Sequence, residues 1–244
     1  MNPILEVDNI HYRYPGQATP ALRGASLSVP AGSKVAVVGR NGSGKSTLFL
    51  HCNGVLRPDS GSVRIDGRPV TYDRQSLLEL RRRVGIVFQD PEDQLFSASV
   101  AQDISFGPLN LGLPEEETRR RVRVAAEMCE ITELLDRPTH AMSGGQKTRA
   151  ALAGVLAMDP RILLVDEITG SVDPWMRRQI LAIFDRLVGG GTTVIMATHD
   201  MRIARRWADL VAVMDLGRVL ATDRPEAIFD NPELVELITP EEEW

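Results

Sequence analysis

The hydrophobic residues of the chain fall into two patterns that predict two kinds of β-strand. In residues 5–14 apolar and polar positions alternate roughly, and Val63 and Ile65 alternate in the same way before a turn at Asp66-Gly67. Alternation along the chain is typical of an antiparallel strand with one face in the core and one face in solvent. We therefore expect an antiparallel sheet near the N-terminus.

Other runs are apolar without interruption, which is typical of strands buried in a parallel sheet. They are Val35–Val38, Ile86–Phe88, Ile162–Val165, Thr193–Met196 and Leu210–Met214. Helical patterns occupy the segment between the second and third runs. One helix is expected to begin at Pro114 and to end at about Cys129, with Glu/Arg pairs at Glu115–Arg119 and Glu116–Arg120. These patterns predict an α/β protein with a mainly parallel sheet.

Composition and charge narrow the class of protein. The chain has 244 residues, 43% of them apolar and 25% charged, which is typical of a globular protein with a large core. No apolar stretch approaches the roughly 18 residues of a membrane helix, and the N-terminus lacks the layout of a signal peptide, so we expect a cytosolic chain. The net charge of −5 argues against nucleic acid as a partner. Cys52 and Cys129 are isolated, which indicates buried small hydrophobes rather than a disulfide.

A phosphate-binding loop is the first motif with chemical content. Residues 39–46, GRNGSGKS, fit the pattern GxxxxGK[ST] without a mismatch, between an apolar strand and the start of a helix. Glycines let successive N–H groups face phosphate oxygens, and the helix N-terminus adds positive charge. Lys45 is expected to reach the terminal phosphates and Ser46 to bind magnesium. An ordinary Gly-rich turn is the alternative, which the flanking elements disfavour. The candidate nucleotide-binding residues are Gly39, Asn41, Gly42, Ser43, Gly44, Lys45, Ser46 and Thr47.

Two adjacent carboxylates end another predicted strand. Asp166 and Glu167 follow the apolar run Ile162–Val165, so they are expected at the carboxyl edge of the sheet, where open α/β sheets bind ligands. Neighbouring strand residues point to opposite sides, which would give the two carboxylates different tasks. We expect Asp166 to hold magnesium, and Glu167 to orient the attacking water and accept its proton.

The segment Ser143-Gly144-Gly145-Gln146, 23 positions before Asp166 when counted from Ser143, gives the chain a family resemblance. The chain resembles the ATP-binding subunits of ABC transporters from residue 3 to about residue 230. The resemblance depends on seven elements in the family's order, which are Tyr14, the phosphate-binding loop, Gln89, Ser143–Gln146, Asp166-Glu167, Ser171-Val172-Asp173 and His199. It implies the ABC ATPase fold, with ATP and Mg²⁺ as cofactors.

The resemblance also implies an organisation of the chain and roles for its residues. Residues 1–90 and 160–225 would form the nucleotide-binding core with its antiparallel β subdomain, residues 91–159 a helical subdomain, and residues 226–244 C-terminal helices and an acidic tail. Tyr14 would stack on adenine, with Tyr12 as the competing candidate because it is expected on the same strand face. Gln89 would complete the magnesium shell with Ser46, and His199 would hydrogen-bond the γ-phosphate and the attacking water.

A head-to-tail homodimer follows from the same resemblance. Ser143, Gly144, Gly145 and Gln146 of one subunit would close over the ATP bound to the other, and Asp173 would lie at the seam between them. The chain carries every element of both halves, so both sites of a homodimer would be complete. Ile168, Met142 and Val172 depart from the family's usual residues, but none removes a reacting group, and we expect ATPase activity to survive.

Residues 87–113 are similar to the energy-coupling-factor branch of the family, and most like its cobalt-importer ATPase subunits. The implied partners are integral membrane subunits, namely a transmembrane coupling protein and a substrate-binding protein, so the chain is expected on the cytoplasmic face of the membrane. Glu92, Asp93, Gln94 and Phe96 are candidates for the docking groove, unless they form an ordinary surface loop. Since the His and Cys residues are scattered, the transported ion must be selected by another polypeptide.

Alternatives to a cobalt importer are a nickel or vitamin importer of the same branch, and then a soluble ABC ATPase that acts on DNA or ribosomes. The latter commonly has two nucleotide modules or long heptad insertions, which this sequence lacks. A P-loop kinase or GTPase is a further class. The Ser143–Gln146 segment opposes it, and none of the three lysines lies in the Asn-Lys-x-Asp context that reads guanine.

Overall fold

Strands of both predicted kinds are present in the structure, a computed structural model that describes residues 3–170 and 172–238. Ser171 and the acidic tail at residues 241–244 lie outside the described residues. The strands are β1 (Leu5–Tyr12), β2 (Leu22–Val29), β3 (Lys34–Val38), β4 (Ser60–Ile65), β5 (Arg68–Pro69), β6 (Val84–Val87), β7 (Ile162–Asp166), β8 (Thr193–Ala197), β9 (Leu210–Asp215) and β10 (Arg218–Asp223). The helices are α1 (Lys45–Cys52), α2 (Arg74–Arg83), α3 (Val100–Asn110), α4 (Glu115–Met128), α5 (Gly144–Leu156), α6 (Pro174–Gly189), α7 (Met201–Trp207), α8 (Pro225–Phe229) and α9 (Pro232–Ile238), with short 3₁₀ turns at Pro91–Asp93, Thr132–Leu134 and Thr139–Ala141.

The strands form two sheets. The larger has the order β10-β9-β3-β8-β7-β6 and is parallel except for the β9–β10 pair. The smaller has the order β2-β1-β4-β5 and is antiparallel, with Asp66 and Gly67 at positive φ in the β4–β5 turn. The predicted α/β class with a mainly parallel sheet is confirmed. The prediction that Tyr14 belongs to the first strand is wrong, because β1 ends at Tyr12.

The larger sheet is buried on both faces, as its continuous apolar runs predict. Along β7, Leu163 and Val165 pack into a core shared with α3, α4, α5 and α6. Ile162 and Leu164 point to the other side, into a core shared with α1 and the smaller sheet. Cys52 and Cys129 are both buried, and burial raises the pKa of each thiol to about 12, so they are small hydrophobes as predicted.

The three helices α3, α4 and α5 are inserted between β6 and β7. Pro114 occupies the N-cap of α4 rather than its first helical position, and Arg120 pairs with Glu117 rather than with the predicted Glu116. The boundaries given above for the subdomains stay a prediction. Among the helices of residues 3–170 and 172–238, none combines the length and the apolar character that a membrane span requires.

Candidate active site

The phosphate-binding loop wraps around the side chain of Lys45. Only 4% of Lys45 is exposed, and its Nζ donates hydrogen bonds to the carbonyl oxygens of Gly39 at 2.9 Å and Arg40 at 3.2 Å. Gly44 is the N-cap of α1 with φ of 105°, and a Cβ atom there would lie 2.9 Å from the carbonyl oxygen of Ala21. Only glycine fits this close approach. The loop therefore leads directly into the N-terminus of α1, where backbone N–H groups favour an anion.

The adjacent carboxylates leave β7 in different directions, but not for the predicted reason. Asp166 is the last residue of the strand and is buried. Glu167 has φ of 51°, so a left-handed backbone step rather than strand alternation turns its side chain away from that of Asp166. The N–H of Glu167 donates to the carbonyl oxygen of Ala197 at 3.1 Å, which keeps the turn beside β8.

Glu167 joins two other predicted site residues. Its carboxylate lies 3.1 Å from Nζ of Lys45 and 3.4 Å from Nδ1 of His199. The Glu167 side chain is 11% exposed, whereas that of His199 is 57% exposed. A cation, a carboxylate and an imidazole from three separate segments thus meet at the carboxyl ends of β3, β7 and β8.

Lys45 and Glu167 line a cleft of about 520 Å³, and His199 contacts Glu167 without being one of the lining residues. Residues that line it are Tyr14, Gln17, Thr19, Pro20, Ala21, Asn41, Gly42, Gly44, Lys45, Ser46, Thr47, Gln89 and Glu167. Tyr14 contributes its ring and places its hydroxyl 3.2 Å from Oγ1 of Thr47. Tyr12 is not among the lining residues, because its ring packs edge-on against Tyr14 and against the buried His51. The geometry therefore favours Tyr14 over Tyr12 for a contact with a base.

Sequence reasoning missed one wall of the cleft. Gln17, Thr19, Pro20 and Ala21 come from the loop between β1 and β2. The available signal was the Pro15-Gly16 turn directly after Tyr14, which keeps the following residues near the aromatic ring.

Ser46, Gln89 and Asp166 are the residues predicted to bind magnesium. Oδ1 of Asp166 is buried and has no hydrogen-bond partner among the described residues, so a buried acceptor is left for a cation. Burial raises the pKa of Asp166, an effect that a hydrogen bond from Ser46 opposes. Hydroxyl, amide and carboxylate oxygens are ligands that Mg²⁺ accepts, usually together with water and substrate phosphates. The donor set therefore fits magnesium. No group of three or more His, Cys, Asp or Glu residues suited to a metal ion occurs in residues 3–170 and 172–238.

The structure does not bring the Ser143–Gln146 segment or Asp173 into this cleft. Ser143 and Gln146 form a reciprocal capping box at the start of α5, with the Ser143 N–H donating to Oε1 of Gln146 at 3.0 Å. Asp173 caps α6 by accepting from the N–H groups of Trp175 and Met176, both at 2.9 Å. The two helices begin side by side, since a Cβ on Gly145 would lie 3.3 Å from Cε of Met176. Ser143, Gly144 and Asp173 are exposed on this surface.

Gln89 links the two regions. It lines the cleft, and it also lines a second groove of about 840 Å³ together with Asp166, Gly144 and Lys147. Lys147 of α5 forms an ion pair with Glu92 across this groove. The loop after β6 is therefore connected to the start of α5.

Gln94, predicted to belong to a docking groove, is used inside the molecule instead. Its Nε2 donates to the carbonyl oxygen of Ala151 at 3.1 Å, and its Oε1 accepts from the N–H of Phe88 at 3.2 Å. The half-buried side chain therefore ties the loop after β6 to α5, which leaves Glu92, Asp93 and Phe96 as the exposed candidates, with Glu92 paired to Lys147.

The fold and the cleft define a P-loop ATPase cassette. A model of the family described as "ABC transporter" matches residues 22–170, and the chain belongs to this family, as an ATPase whose hydrolysis of ATP is coupled to transport. The cobalt import ATP-binding protein CbiO of Rhodobacter capsulatus is 48% identical over 231 residues, which cover 95% of this chain and 82% of that protein. The energy-coupling factor transporter ATP-binding protein EcfA2 of Methanospirillum hungatei is 45% identical over 235 residues, and the chain spans 59% of its length.

Solved structures agree with this assignment. The structure of cbiO1 from Clostridium perfringens, described as part of the ABC transporter complex cbiONQ, superposes with a TM-score of 0.85 at 43% identity and covers 97% of this chain and 94% of that chain. A dimeric ATP-binding cassette bound to ADP and Pi superposes with a TM-score of 0.83 at 26% identity, over 91% of this chain and 98% of that chain. The predicted ABC ATPase fold and the resemblance to the energy-coupling-factor branch are confirmed.

Proposed function

We propose that this chain dimerises on ATP and powers the import of a transition-metal ion, most simply cobalt, through separate integral membrane subunits. The observation that carries the catalytic part is that Glu167, which lines the cleft, has its carboxylate 3.1 Å from Nζ of Lys45 and 3.4 Å from Nδ1 of His199. This ion pair bears on two steps of the reaction, which are the binding of the nucleotide and the activation of water.

The Glu167 carboxylate and the phosphates of ATP would compete for the ammonium group of Lys45. The ion pair with Lys45 neutralises the Glu167 carboxylate in the structure. Phosphate oxygens of ATP would take over Lys45, because they carry more negative charge and lie against the N–H groups at the start of α1. Glu167 would then be free to accept a proton from the attacking water, with His199 beside it to hydrogen-bond the γ-phosphate.

Ser46, Gln89 and Asp166 would hold magnesium in this site. When bound, the ion would neutralise charge on the β- and γ-phosphates. The orphaned Oδ1 of Asp166 supports this assignment, since a buried carboxylate oxygen without a partner is costly. Tyr14 would stack on the adenine ring, a contact worth about 1 to 3 kcal/mol for a base on an aromatic face.

The exposed starts of α5 and α6 support an ATP-bound homodimer. Both helix N-termini carry partial positive charge, and Ser143 and Asp173 are their N-cap residues. Neither contributes to the cleft of its own chain. A second copy would place Ser143, Gly144, Gly145 and Gln146 over the phosphates bound to the first, and would complete the site.

An exposed apolar surface supports contact with a membrane subunit. We call it the Phe96 patch, and it consists of Phe96, Phe106 and Leu109, which are 65%, 51% and 55% exposed. The rings of Phe96 and Phe106 pack edge to face, with their centroids 4.7 Å apart. Asp103 fixes the loop by accepting from the N–H groups of Phe96 at 2.9 Å and Ser97 at 2.7 Å. A fixed apolar patch of this kind is typical of an interaction site, and its place after Gln89 favours the transmembrane coupling protein as its partner. The chain would then lie peripherally on the cytoplasmic face of the membrane.

Purification of the native complex tests the docking proposal. We expect the Phe96→Ser and Phe106→Ser variants to lose the membrane subunits, while the isolated chain hydrolyses ATP as before, because neither residue lines the cleft. Leu78→Ser is the matched control, since Leu78 is 50% exposed on α2 and should change nothing. Membrane subunits that co-purify equally with all three variants would exclude the patch as the docking site.

Uptake of labelled ions tests the substrate. Cobalt is favoured because a relative at 48% identity is named a cobalt import protein. Deletion of the gene in its host should abolish uptake of labelled Co²⁺, and the wild-type gene, but not Glu167→Gln, should restore it. Loss of Ni²⁺ or vitamin uptake with normal Co²⁺ uptake would replace cobalt by that substrate. Normal uptake of all of them would exclude this importer function.

A further inference from the structure

The two catalytic loops are held next to each other by a contact that lies outside the cleft. β7 and β8 are parallel neighbours, with Asp166 opposite Ala197, so the turn at residues 167–170 and the loop at residues 198–200 leave the sheet side by side. Neither loop is regular structure. The left-handed backbone at Glu167 is unfavourable for a residue other than glycine, so surrounding contacts must hold it.

Arg177 of α6 makes one hydrogen bond to each loop. Its Nε donates to the carbonyl oxygen of Thr169 at 3.1 Å, and its Nη1 donates to Oδ2 of Asp200 at 2.9 Å. The side chains of Arg177 and Asp200 are 25% and 15% exposed. The planar guanidinium group has its donors in a fixed geometry, so two bonds set the distance and the orientation between the two loops.

Asp200 is itself firmly placed. Its Oδ1 accepts from the N–H groups of Arg202 at 2.9 Å and Ile203 at 3.3 Å, so it caps α7, and its own N–H donates to Oγ1 of Thr198 at 3.0 Å. Partial burial raises the pKa of Asp200, but hydrogen bonds from Arg202 and Ile203 lower it, and the net pKa lies below its ordinary value. Asp200 is therefore a charged anchor for Arg177, directly beside His199.

The turn at residues 167–170 is fitted to the His199 ring. The N–H of Gly170 donates to the carbonyl oxygen of Glu167 at 3.2 Å, which closes the turn. A Cβ on Gly170 would lie 2.9 Å from Cε1 of His199. A small shift of one loop would therefore change the contact between the Glu167 carboxylate and the His199 imidazole.

Arg177 also connects this pair to the exposed starts of α5 and α6. Its N–H donates to the carbonyl oxygen of Asp173 at 2.9 Å, in the first turn of α6. The neighbouring Met176 packs next to Gly145, since a Cβ on Gly145 would lie 3.3 Å from its Cε. A displacement of the α6 start would thus reach Thr169 and Asp200 through one side chain.

We propose that Arg177 is a positioning residue for ATP hydrolysis, which holds Glu167 and His199 in register through Thr169 and Asp200. This inference rests on the proposed roles of Glu167 and His199. Arg177 is not among the residues that line the cleft, so we expect its loss to leave nucleotide binding nearly unchanged. Its effect on the reaction is carried by the geometry of the two loops.

Steady-state kinetics of Arg177→Met in the full chain test this inference. Methionine keeps much of the aliphatic stem but removes both donors. We expect kcat to fall by about 10- to 100-fold, since displacement of a catalytic group by about 1 Å can lower the rate by about 100-fold. The KM for ATP should change less than about threefold, because residues of the cleft are untouched. Arg178→Met is the matched control, since Arg178 is the next residue and is exposed. It should leave kcat unchanged.

Double variants distinguish a positioning role of Arg177 from a role in the stability of the fold alone. If Arg177 acts through His199, Arg177→Met should lower kcat by less than about twofold in a His199→Ala background, because the effects of residues that act as a unit are not additive. Asp200→Asn keeps a capping residue but removes the charge, and should reproduce the fall in kcat should Arg177→Met not fold. An unchanged kcat in both variants, or a full multiplicative loss in the His199→Ala background, would overturn the inference. Unchanged turnover in His199→Ala and Glu167→Gln would instead overturn the proposed function.

Discussion

The phosphate-binding cleft and the surface formed by the starts of α5 and α6 differ in how far one chain completes them. In the cleft, Lys45 is buried, and the Glu167 carboxylate that pairs with it is nearly so. On the surface, Ser143 and Asp173 are exposed and cap their own helices. A buried ion pair already satisfies both of its charges, whereas an exposed helix N-terminus is open to an anion from outside its own chain. This difference supports the proposal that ATP is bound between the cleft of one chain and the exposed helix starts of a second chain.

The largest effect is expected when the catalytic carboxylate loses its charge. Glu167→Gln should bind ATP but hydrolyse it about 10²- to 10⁴-fold more slowly, since the amide cannot accept a proton from water. Steady-state phosphate release measures the rate, and equilibrium binding of labelled ATP measures affinity. Glu127→Gln, at an exposed site on α4, is the control. Undiminished turnover in Glu167→Gln would remove Glu167 from the catalytic role.

The phosphate-binding lysine should affect binding rather than only the rate. Lys45→Ala removes a charge-assisted contact with phosphate, and a contact of about 1.5 to 3 kcal/mol corresponds to roughly 10- to 150-fold in ATP affinity. Lys34→Ala is the control, because Lys34 pairs with the exposed Asp185. Isothermal titration with ATP measures both. Normal affinity in Lys45→Ala would contradict the phosphate-loop assignment.

Mixed subunits test whether the two regions come from different chains. Ser143→Arg and Lys45→Ala should each be inactive alone. When they are mixed, about half of the randomly formed dimers should contain one of each, and each mixed dimer has one intact site. ATP hydrolysis should therefore reappear on mixing. Mixtures as inactive as the separate variants would argue that the site is not shared.

The smallest effect is expected at the turn after Glu167. Gly170→Ala places a methyl group 2.9 Å from Cε1 of the His199 ring, so the ring or the turn must shift. We expect kcat to fall by about two- to tenfold, with ATP affinity unchanged. Gly189→Ala is the control, because a Cβ there has no atom within 4 Å. Equal turnover in the two variants would exclude a close constraint on His199 from this turn.

The sequence predicts features that depend on local spacing. The glycines of residues 39–44 identify the phosphate-binding loop, because few other residues allow such a backbone, and continuous apolar runs identify the parallel strands. Asp166 and Glu167 could be placed at the sheet edge for the same reason. The direction of Glu167 could not, because nothing in the local sequence marks a left-handed φ at this non-glycine residue.

Features that depend on contacts between distant segments could not be predicted from the sequence. Tyr12 and Tyr14 appear equivalent by alternation, and only the end of β1 at Tyr12 and the packing of His51 distinguish them. Gln94 looks like a surface residue until its bonds to Phe88 and Ala151 are seen. Hydrogen bonds that span many residues are set by the assembled fold, and no local periodicity encodes them.

The contact of Arg177 with Asp200 is another case of this kind, since 23 positions separate the two residues. The sequence marks Asp200 only as the neighbour of His199, and Arg177 as one of several arginines on a helix. The link between the α6 start and the catalytic pair is therefore visible only in the structure.

The central claim is that ATP is held between two copies of this chain. Light scattering coupled to size-exclusion chromatography of Glu167→Gln, with and without ATP, tests it most directly, because slow hydrolysis preserves the complex. The account predicts a monomer without ATP, a dimer of twice 26.9 kDa with ATP, and no dimer when Ser143→Arg is added. A monomer at every ATP concentration, together with wild-type hydrolysis whose rate per chain does not change on dilution, would contradict it.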